Sequence, residues 1–306
     1  MRILSRSKTP LCATSLVAAM LLACAAGHAQ SSLQQKVAAI ATAAQGKVAA
    51  ACALPGSSLN CDLDPHAHPP MQSVFKFPLA ITALHFIEQG KFTLDQPIRF
   101  EPADRFFPKT YSPLQDKYPD ANVDVPLREL LRLSASLSDN AAADLILRVI
   151  GGPGVVDSYI KSLGIEGFHL EDSEHGLHAD WKAQYRNGLE PAAAVQLLLL
   201  LSGHSPLTRE HSALLLEWMK DSPTGARLIQ AQLPEGTTVM HKSGRSGTRD
   251  GLTAATNDIA LVTLPGGRRM AIAVFVTDST ADENTRDAVI ARIARAAYDA
   301  ATQRPD

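Results

Sequence analysis

The sequence predicts a mixed α/β fold in which both chain ends build one antiparallel sheet, helices flank it, and an all-helical lobe is inserted in between. Three observations carry this. Strand-like runs lie toward both ends, at Lys47 to Leu54 and at Thr237 to His241, Thr253 to Leu264 and Arg269 to Thr277. The middle of the chain is dominated by apolar residues at helical spacing. An amphipathic stretch from Ala281 to Ala301 closes the chain and can cover one face of such a sheet.

Length and composition allow this architecture, since 306 residues at 45% hydrophobic content can bury a substantial core. Residues 1–29 read as an export signal: Arg2, Arg6 and Lys8 precede an apolar run from Leu11 to Ala26 that is short for a membrane span. Gly27-His28-Ala29 suits cleavage after Ala29 and release into the periplasm, while Leu21-Leu22-Ala23-Cys24 also fits a bacterial lipobox with a lipid anchor on Cys24. Residues 30–306 are expected to form a single domain, with a sheet lobe over 30–68 and 225–306 and a helical lobe over 69–224. Without the signal, 26 bases face 31 acids, which is no footprint for a nucleic-acid partner.

In chain order, Ser32 to Ala44 has helical periodicity that Gly46 ends, and Lys47 to Leu54 and Ser58 to Leu63 read as strands paired around Pro55-Gly56. Cys52 and Cys61, the only cysteines outside the signal, flank that turn; export permits a disulfide between them, and two core thiols are the alternative. His66 and His68 have a metal-like spacing but no further ligand at useful spacing, so they read as solvated and no metal is expected. Val74 to Ile87 is apolar at nearly every position, which predicts a helix buried on all sides and capped by Gly90. Lys91 to Asp124 reads mostly as loop, with Phe106, Phe107 and Tyr111 available to line a cleft. Helices are predicted at Pro126 to Leu133, Asp139 to Ile150, Val155 to Leu163, Pro191 to Leu201 and Thr208 to Lys220. The polar stretch from Glu166 to Asn187 is a connection long enough to suggest function. A hairpin turn is predicted at Pro265-Gly266-Gly267-Arg268.

Ser73 and Lys76 stand one helical turn apart at the start of the apolar helix, so they are expected to face each other. In a dry site an amine loses part of its preference for charge and can accept a proton from a hydroxyl, which turns serine into a useful nucleophile. Ser-x-x-Lys also occurs at Ser5/Lys8 and Ser158/Lys161, but the first lies in the signal and the second on a polar helix end. Two further motifs supply partners: Ser138-Asp139-Asn140 at a helix junction and Lys242-Ser243-Gly244 at the end of a strand.

With Ser73-Val74-Phe75-Lys76 these motifs resemble the signature set of class A serine β-lactamases, over essentially the whole mature chain. Tyr111-Ser112-Pro113, Gln232-Leu233-Pro234 and Thr256-Asn257-Asp258 are similar to the PER-like branch. The resemblance implies the β-lactamase/transpeptidase-like fold, a small-molecule β-lactam substrate, no cofactor and a monomer. It further implies a loop glutamate that activates water. Glu166, Glu171 and Glu174 are the candidates, and Glu174 is chosen because it lies 36 residues after Ser138 and 68 before Lys242. Implied roles follow. Ser73 attacks, with Lys76 or Glu174 as base; Ser138 relays a proton that Lys242 biases; Glu174 prepares the deacylating water. Asn140, Ser243, Tyr111, His178 and Arg245 contact substrate, and the backbone N–H groups of Ser73 and Arg245 hold the oxyanion. Arg245, before Arg227 and Arg249, is the candidate for the substrate carboxylate.

Several positions depart from the family. His178 replaces a common asparagine and His175 a common proline, and the usual Arg-Asp bridge across the loop would fall on Asp172 and Asn187, which cannot form it. A rearranged loop and a wider cleft are therefore expected. Glu174-His175-Gly176-Leu177-His178 fits no zinc-helix order, and Gly176 argues against a helix there. A cell-wall D,D-peptidase or a non-hydrolysing β-lactam sensor are the alternatives, and Glu174 argues against both.

Overall fold

Alternation along the strands decides how the layers stack. The computed structural model describes residues 31–106 and 110–303, so the export signal and Phe107 lie outside the described residues. Ser32–Asp306 form one compact unit. In chain order, α1 (Ser32–Ala41) leads into β1 (Lys47–Ala53). The insertion then supplies α2 (Lys76–Glu88), β2 (Pro97–Phe100), α3 (Pro113–Lys117), β3 (Val123–Pro126), α4 (Leu127–Ala135), α5 (Asn140–Ile150) and α6 (Pro153–Ser162). A short pair, β4 (Phe168–His169) and β5 (Gly188–Leu189), brackets α7 (Glu174–Ala179), and α8 (Pro191–Ser202) and α9 (Arg209–Lys220) follow. The last third holds β6 (Val239–Arg245), β7 (Thr248–Arg249), β8 (Leu252–Thr263), β9 (Arg269–Ser279) and α10 (Glu283–Thr302).

The main sheet runs β1-β9-β8-β6 with every neighbour antiparallel, and β7 folds onto β8. Both chain ends build it, as predicted. Met270, Ile272, Val274 and Val276 of β9 join the core that α1 and α10 close, while Ala271, Ala273 and Phe275 join the core of the helical insertion. This period of two follows from the pleat. Register does the rest: Ala51, Ala273, Ile259 and Lys242 are successive cross-strand partners, so Lys242 points to the same face as that second set. α8 lies on this face, against β1 and β9.

In α2 every residue from Lys76 to Leu84 is buried, which matches its apolar run. Its first turn is tighter than expected, because Gln72–Phe75 is a 3-10 turn that runs directly into the helix. Four other expectations need correction. Ser58 to Leu63 is not a strand: Leu63 alone bridges to Ala50, while the side chains of Ser57 and Asn60 bond the backbone N–H groups of Leu59 and Asp62 and displace a ladder. The segment from Lys91 to Asp124 is less loop-like, since β2 and β3 pair and α3 is capped by Ser112. Lys242-Ser243-Gly244 lies inside β6, which continues to Arg245. Gly176 is helical, within α7, which the Ser173 side chain caps, and glycine is needed there because a Cβ at 176 would sit 2.8 Å from Asp172 Oδ1. Cys52 and Cys61 are joined by a disulfide.

Candidate active site

The join between the 3-10 turn and α2 sets the first pair. Lys76 has no exposed surface, yet its ammonium is satisfied: Nζ donates to Ser73 Oγ at 3.0 Å, Ser138 O at 2.9 Å and Asn140 Oδ1 at 2.5 Å. A lysine has three N–H bonds, and three acceptors meet them. Glu174 Oε1 lies 2.8 Å from the same Nζ as a charge contact, with no aligned hydrogen bond among the described residues. The lone pairs of Oε1 are therefore uncommitted, beside the same Nζ that bonds the Ser73 hydroxyl.

Two backbone positions beside these groups are strained. Gln72 has φ +50° and Ser138 φ +60°, left-handed values that cost an ordinary residue about 1–2 kcal/mol each. The Gln72 side chain is held by Gln184 Oε1 at 2.9 Å, and at Ser138 the following Asp139 N–H reaches back to Leu133 O at 3.0 Å. This turn aims the Ser138 carbonyl at Lys76 and its hydroxyl at Lys242, whose Nζ donates to Oγ at 2.9 Å and to Ser243 O at 3.0 Å. Lys242 is fully buried. Burial, and then the charge of Lys76, push its ammonium down to about 7, with Asp258 and Glu174 acting the other way.

β6 passes against the nucleophile's turn. A Cβ on Gly244 would lie 2.6 Å from Met71 O and 3.1 Å from Ser73 N, so only glycine lets the strand approach this closely. Ser243 Oγ donates to Thr224 Oγ1 at 3.2 Å. Asp139, completely buried, accepts from Ser112 Oγ at 2.8 Å, Leu114 N at 2.5 Å and Ala142 N at 2.9 Å, a structural task.

The loop that presents Glu174 is stitched by residues with no motif of their own. The backbone N–H groups of Glu174 and His175 donate to Asp144 at 2.8 and 3.0 Å. Asn187, with no exposed surface, accepts from Glu171 N and Asp172 N at 2.9 Å each and donates to Asp172 O at 2.9 Å. Arg186 grips Asp172 with two bonds of 2.7 Å. The loop is thus closed by an ion pair from Arg186, the neighbour of Asn187, to Asp172, and Asn187 bonds backbone instead. His175 stacks on Phe106 at 3.8 Å and bonds Asp144 at 2.6 Å; that bond, with burial opposing, holds its pKa above the usual histidine range.

Ser73, Lys76, Ser138, Asn140, Glu174, Lys242 and Ser243 come together. His178 does not join them: exposed, it meets Thr110 Oγ1 at 3.1 Å, and Thr110 in turn accepts from Asn140 Nδ2 at 2.9 Å. Tyr111 is 55% exposed and contributes its carbonyl, which accepts from Asn140 N at 3.3 Å. The Arg245 guanidinium is engaged by Asp287 Oδ1 at 2.6 Å, and that of Arg249 lies 3.7 Å from Asp250. Thr110, Asp144, Arg186 and Asp287 carried no sequence signal, since each acts through a partner distant in the chain, and Asn187 stood out only as a departure from the family's bridge.

The model of the Beta-lactamase enzyme family matches residues 32–301. Among curated proteins, the chain is 39% identical to the extended-spectrum β-lactamase PER-1 of Pseudomonas aeruginosa, over 77% of this chain and 76% of that protein. It is also 39% identical to a β-lactamase of Bacteroides uniformis, over 77% and 80%. Among solved structures, a β-lactamase from Chitinophaga pinensis superposes with a TM-score of 0.86 at 40% identity, covering 89% of this chain and 100% of that one. TLA-3 extended-spectrum β-lactamase does so with a TM-score of 0.86 at 33% identity, covering 90% and 100%. The Ser-Lys pair, the serine turn above it and the loop carboxylate thus sit in a chain that belongs to the β-lactamase enzyme family, as a PER-like class A member.

Proposed function

We propose that the protein hydrolyses the β-lactam ring of penicillins and cephalosporins, bulky cephalosporins included, through an acyl-enzyme on Ser73. The Ser73 hydroxyl gives its proton through a water to Glu174, or to Lys76 once Nζ has passed a proton to Glu174 Oε1, 2.8 Å away, and attacks the lactam carbonyl. The N–H groups of Ser73 and Arg245 hold the oxyanion, each donor worth about 3 kcal/mol in such sites. Ser138 passes a proton to the departing nitrogen, and the charge of Lys242 favours that transfer. Asn140 binds the substrate's side-chain amide, and Ser243 and Arg245 its carboxylate. Glu174 then deprotonates the water that attacks the acyl carbonyl, which restores the serine.

The observation that carries this reading is the contact of 2.8 Å between Glu174 Oε1 and the ammonium that also bonds Ser73 Oγ at 3.0 Å. Acid and nucleophile thus lie within hydrogen-bond reach of one and the same Nζ. This supports hydrolysis over the peptidase and sensor alternatives, which lack such an acid. A monomeric state is part of the same proposal, and size-exclusion chromatography with light scattering tests it. Export to the periplasm is part of the same proposal, and fractionation of expressing cells tests it.

Multiple turnover of a chromogenic cephalosporin is the expected result, whereas a single stoichiometric burst would sink the hydrolase reading. Glu174→Ala should acylate measurably, deacylate about 10²–10⁴-fold more slowly, and show the trapped adduct in mass spectrometry. The same change at Glu166 or Glu171 should leave turnover intact.

A further inference from the structure

We infer that a cleft between α9 and the end of the main sheet opposite Arg245 is a second binding site, which takes an amphiphilic organic anion of the fatty-acid type. Its volume is about 940 Å³, in the upper part of the range for small-molecule sites. The walls are the end of α8, the 203–208 connection, α9 and the ends of β6, β8 and β9 that lie away from Ser73. None of the side chains that gather at Ser73 lines it, so the site is separate from the catalytic centre.

Register builds one wall. Thr263 pairs with Arg269, and its N–H donates to Thr238 O at 2.9 Å, so these three residues make one row across three strands. The period of two puts the row on the face that carries Leu261 and Ala271 into the core of the helical insertion. Two hydroxyls and a guanidinium therefore look toward α9, which adds Arg209 and Lys220 from its two ends. Three cations thus meet one acid, Glu217. Among the described residues none of the three cationic side chains is taken up in an ion pair or a hydrogen bond. Unpaired cations on a concave surface attract an anionic head group. Beneath them Leu201, Leu216 and Met240 are buried and give the cleft an apolar floor, which favours a hydrocarbon tail. The helical wall is preformed: Thr208 caps α9, Glu88 accepts from the Thr208 N–H at 2.7 Å and meets the His211 ring at 2.8 Å, and Ser205 Oγ bonds Ser212 Oγ at 2.7 Å. A wall fixed before binding loses little free energy to ordering.

Decanoate, kept below the concentration at which it forms micelles, is the probe, and calorimetric titration of the purified protein is the readout. Saturable binding of one decanoate per chain is expected, with a rise in Tm and an affinity that falls as salt is added. Decyltrimethylammonium should bind about tenfold more weakly, because it sets like charges against each other, and acetate should not bind measurably. Arg269→Ala and Arg209→Ala should each weaken decanoate about fivefold or more, as loss of a charge-assisted contact does. Ala213→Trp, which fills the cleft from an exposed position of α9, should abolish binding and serves if an arginine variant folds poorly. Arg245→Ala, beside Ser73, should leave the affinity within about twofold. The site is refuted if decanoate does not saturate, if acetate or the cationic amphiphile binds as well, if Arg269→Ala and Ala213→Trp change nothing, or if Arg245→Ala is the change that removes binding. None of these readouts uses turnover, so they hold whatever reaction Ser73 performs.

Discussion

At Lys242 a single buried ammonium ties the chemistry to pH. Its proton is held below about 7 and lost above that value. If its positive charge serves the anionic substrate and the Ser138 transfer, kcat/KM should decline as pH rises through about 7. In Lys242→Arg, whose guanidinium keeps its charge to above about pH 12, that decline should disappear from the neutral range. A wild-type profile that stays flat well into the alkaline range would rule this out. The stability sign is opposite. An unfolded lysine holds its proton to about pH 10.4, so between the folded and unfolded values the unfolded state binds more protons, and this residue makes stability increase with pH there.

The element that matters most for hydrolysis is the loop from Glu166 to Asn187. Two interactions close it, and their magnitudes differ. Arg186 and Asp172 form a half-exposed pair, and Arg186→Ala should lower stability only slightly. Asn187 satisfies three backbone groups from a position with no exposure, and Asn187→Ala should cost about 2–4 kcal/mol, because those groups lose their partners. Urea denaturation checks the order. In the same variant deacylation should slow more than acylation, since the loop carries Glu174 but not Ser73; equal slowing in single-turnover measurements would argue against it. The polar composition of this stretch marked it as functional, and spacing selected Glu174. Neither could indicate that an asparagine would bond the backbone where relatives use an ion pair.

Across the described residues, the disulfide and the nucleophile's helix stand on opposite faces of the sheet. Cys52 and Cys61 belong to the core beneath α1 and α10, while Lys242 and α2 lie on the opposite face. The disulfide spans a sequence separation of 9, and its loss should cost about 2–3 kcal/mol by the loop-entropy relation. Cys52→Ala/Cys61→Ala is therefore expected to melt several degrees lower, with kcat/KM within about twofold of wild type. A comparable loss of activity at a temperature where the variant is folded would show that the two faces are coupled.

What the sequence by itself determined is whatever depends on neighbours in the chain: the period-two strands at both ends, the helix apolar all round, the Pro-Gly-Gly hairpin and the three short motifs. These are legible because backbone geometry repeats every few residues and burial writes that repeat into composition. Only the tertiary structure decided that Ser58 to Leu63 would leave the sheet, that Gly176 would be helical, that His178 would turn to Thr110, and that Arg245 would dock on Asp287. Each of those outcomes is a polar group choosing a partner far away in the chain. Such choices are set by which groups packing strips of water at the same time, and no local pattern records that.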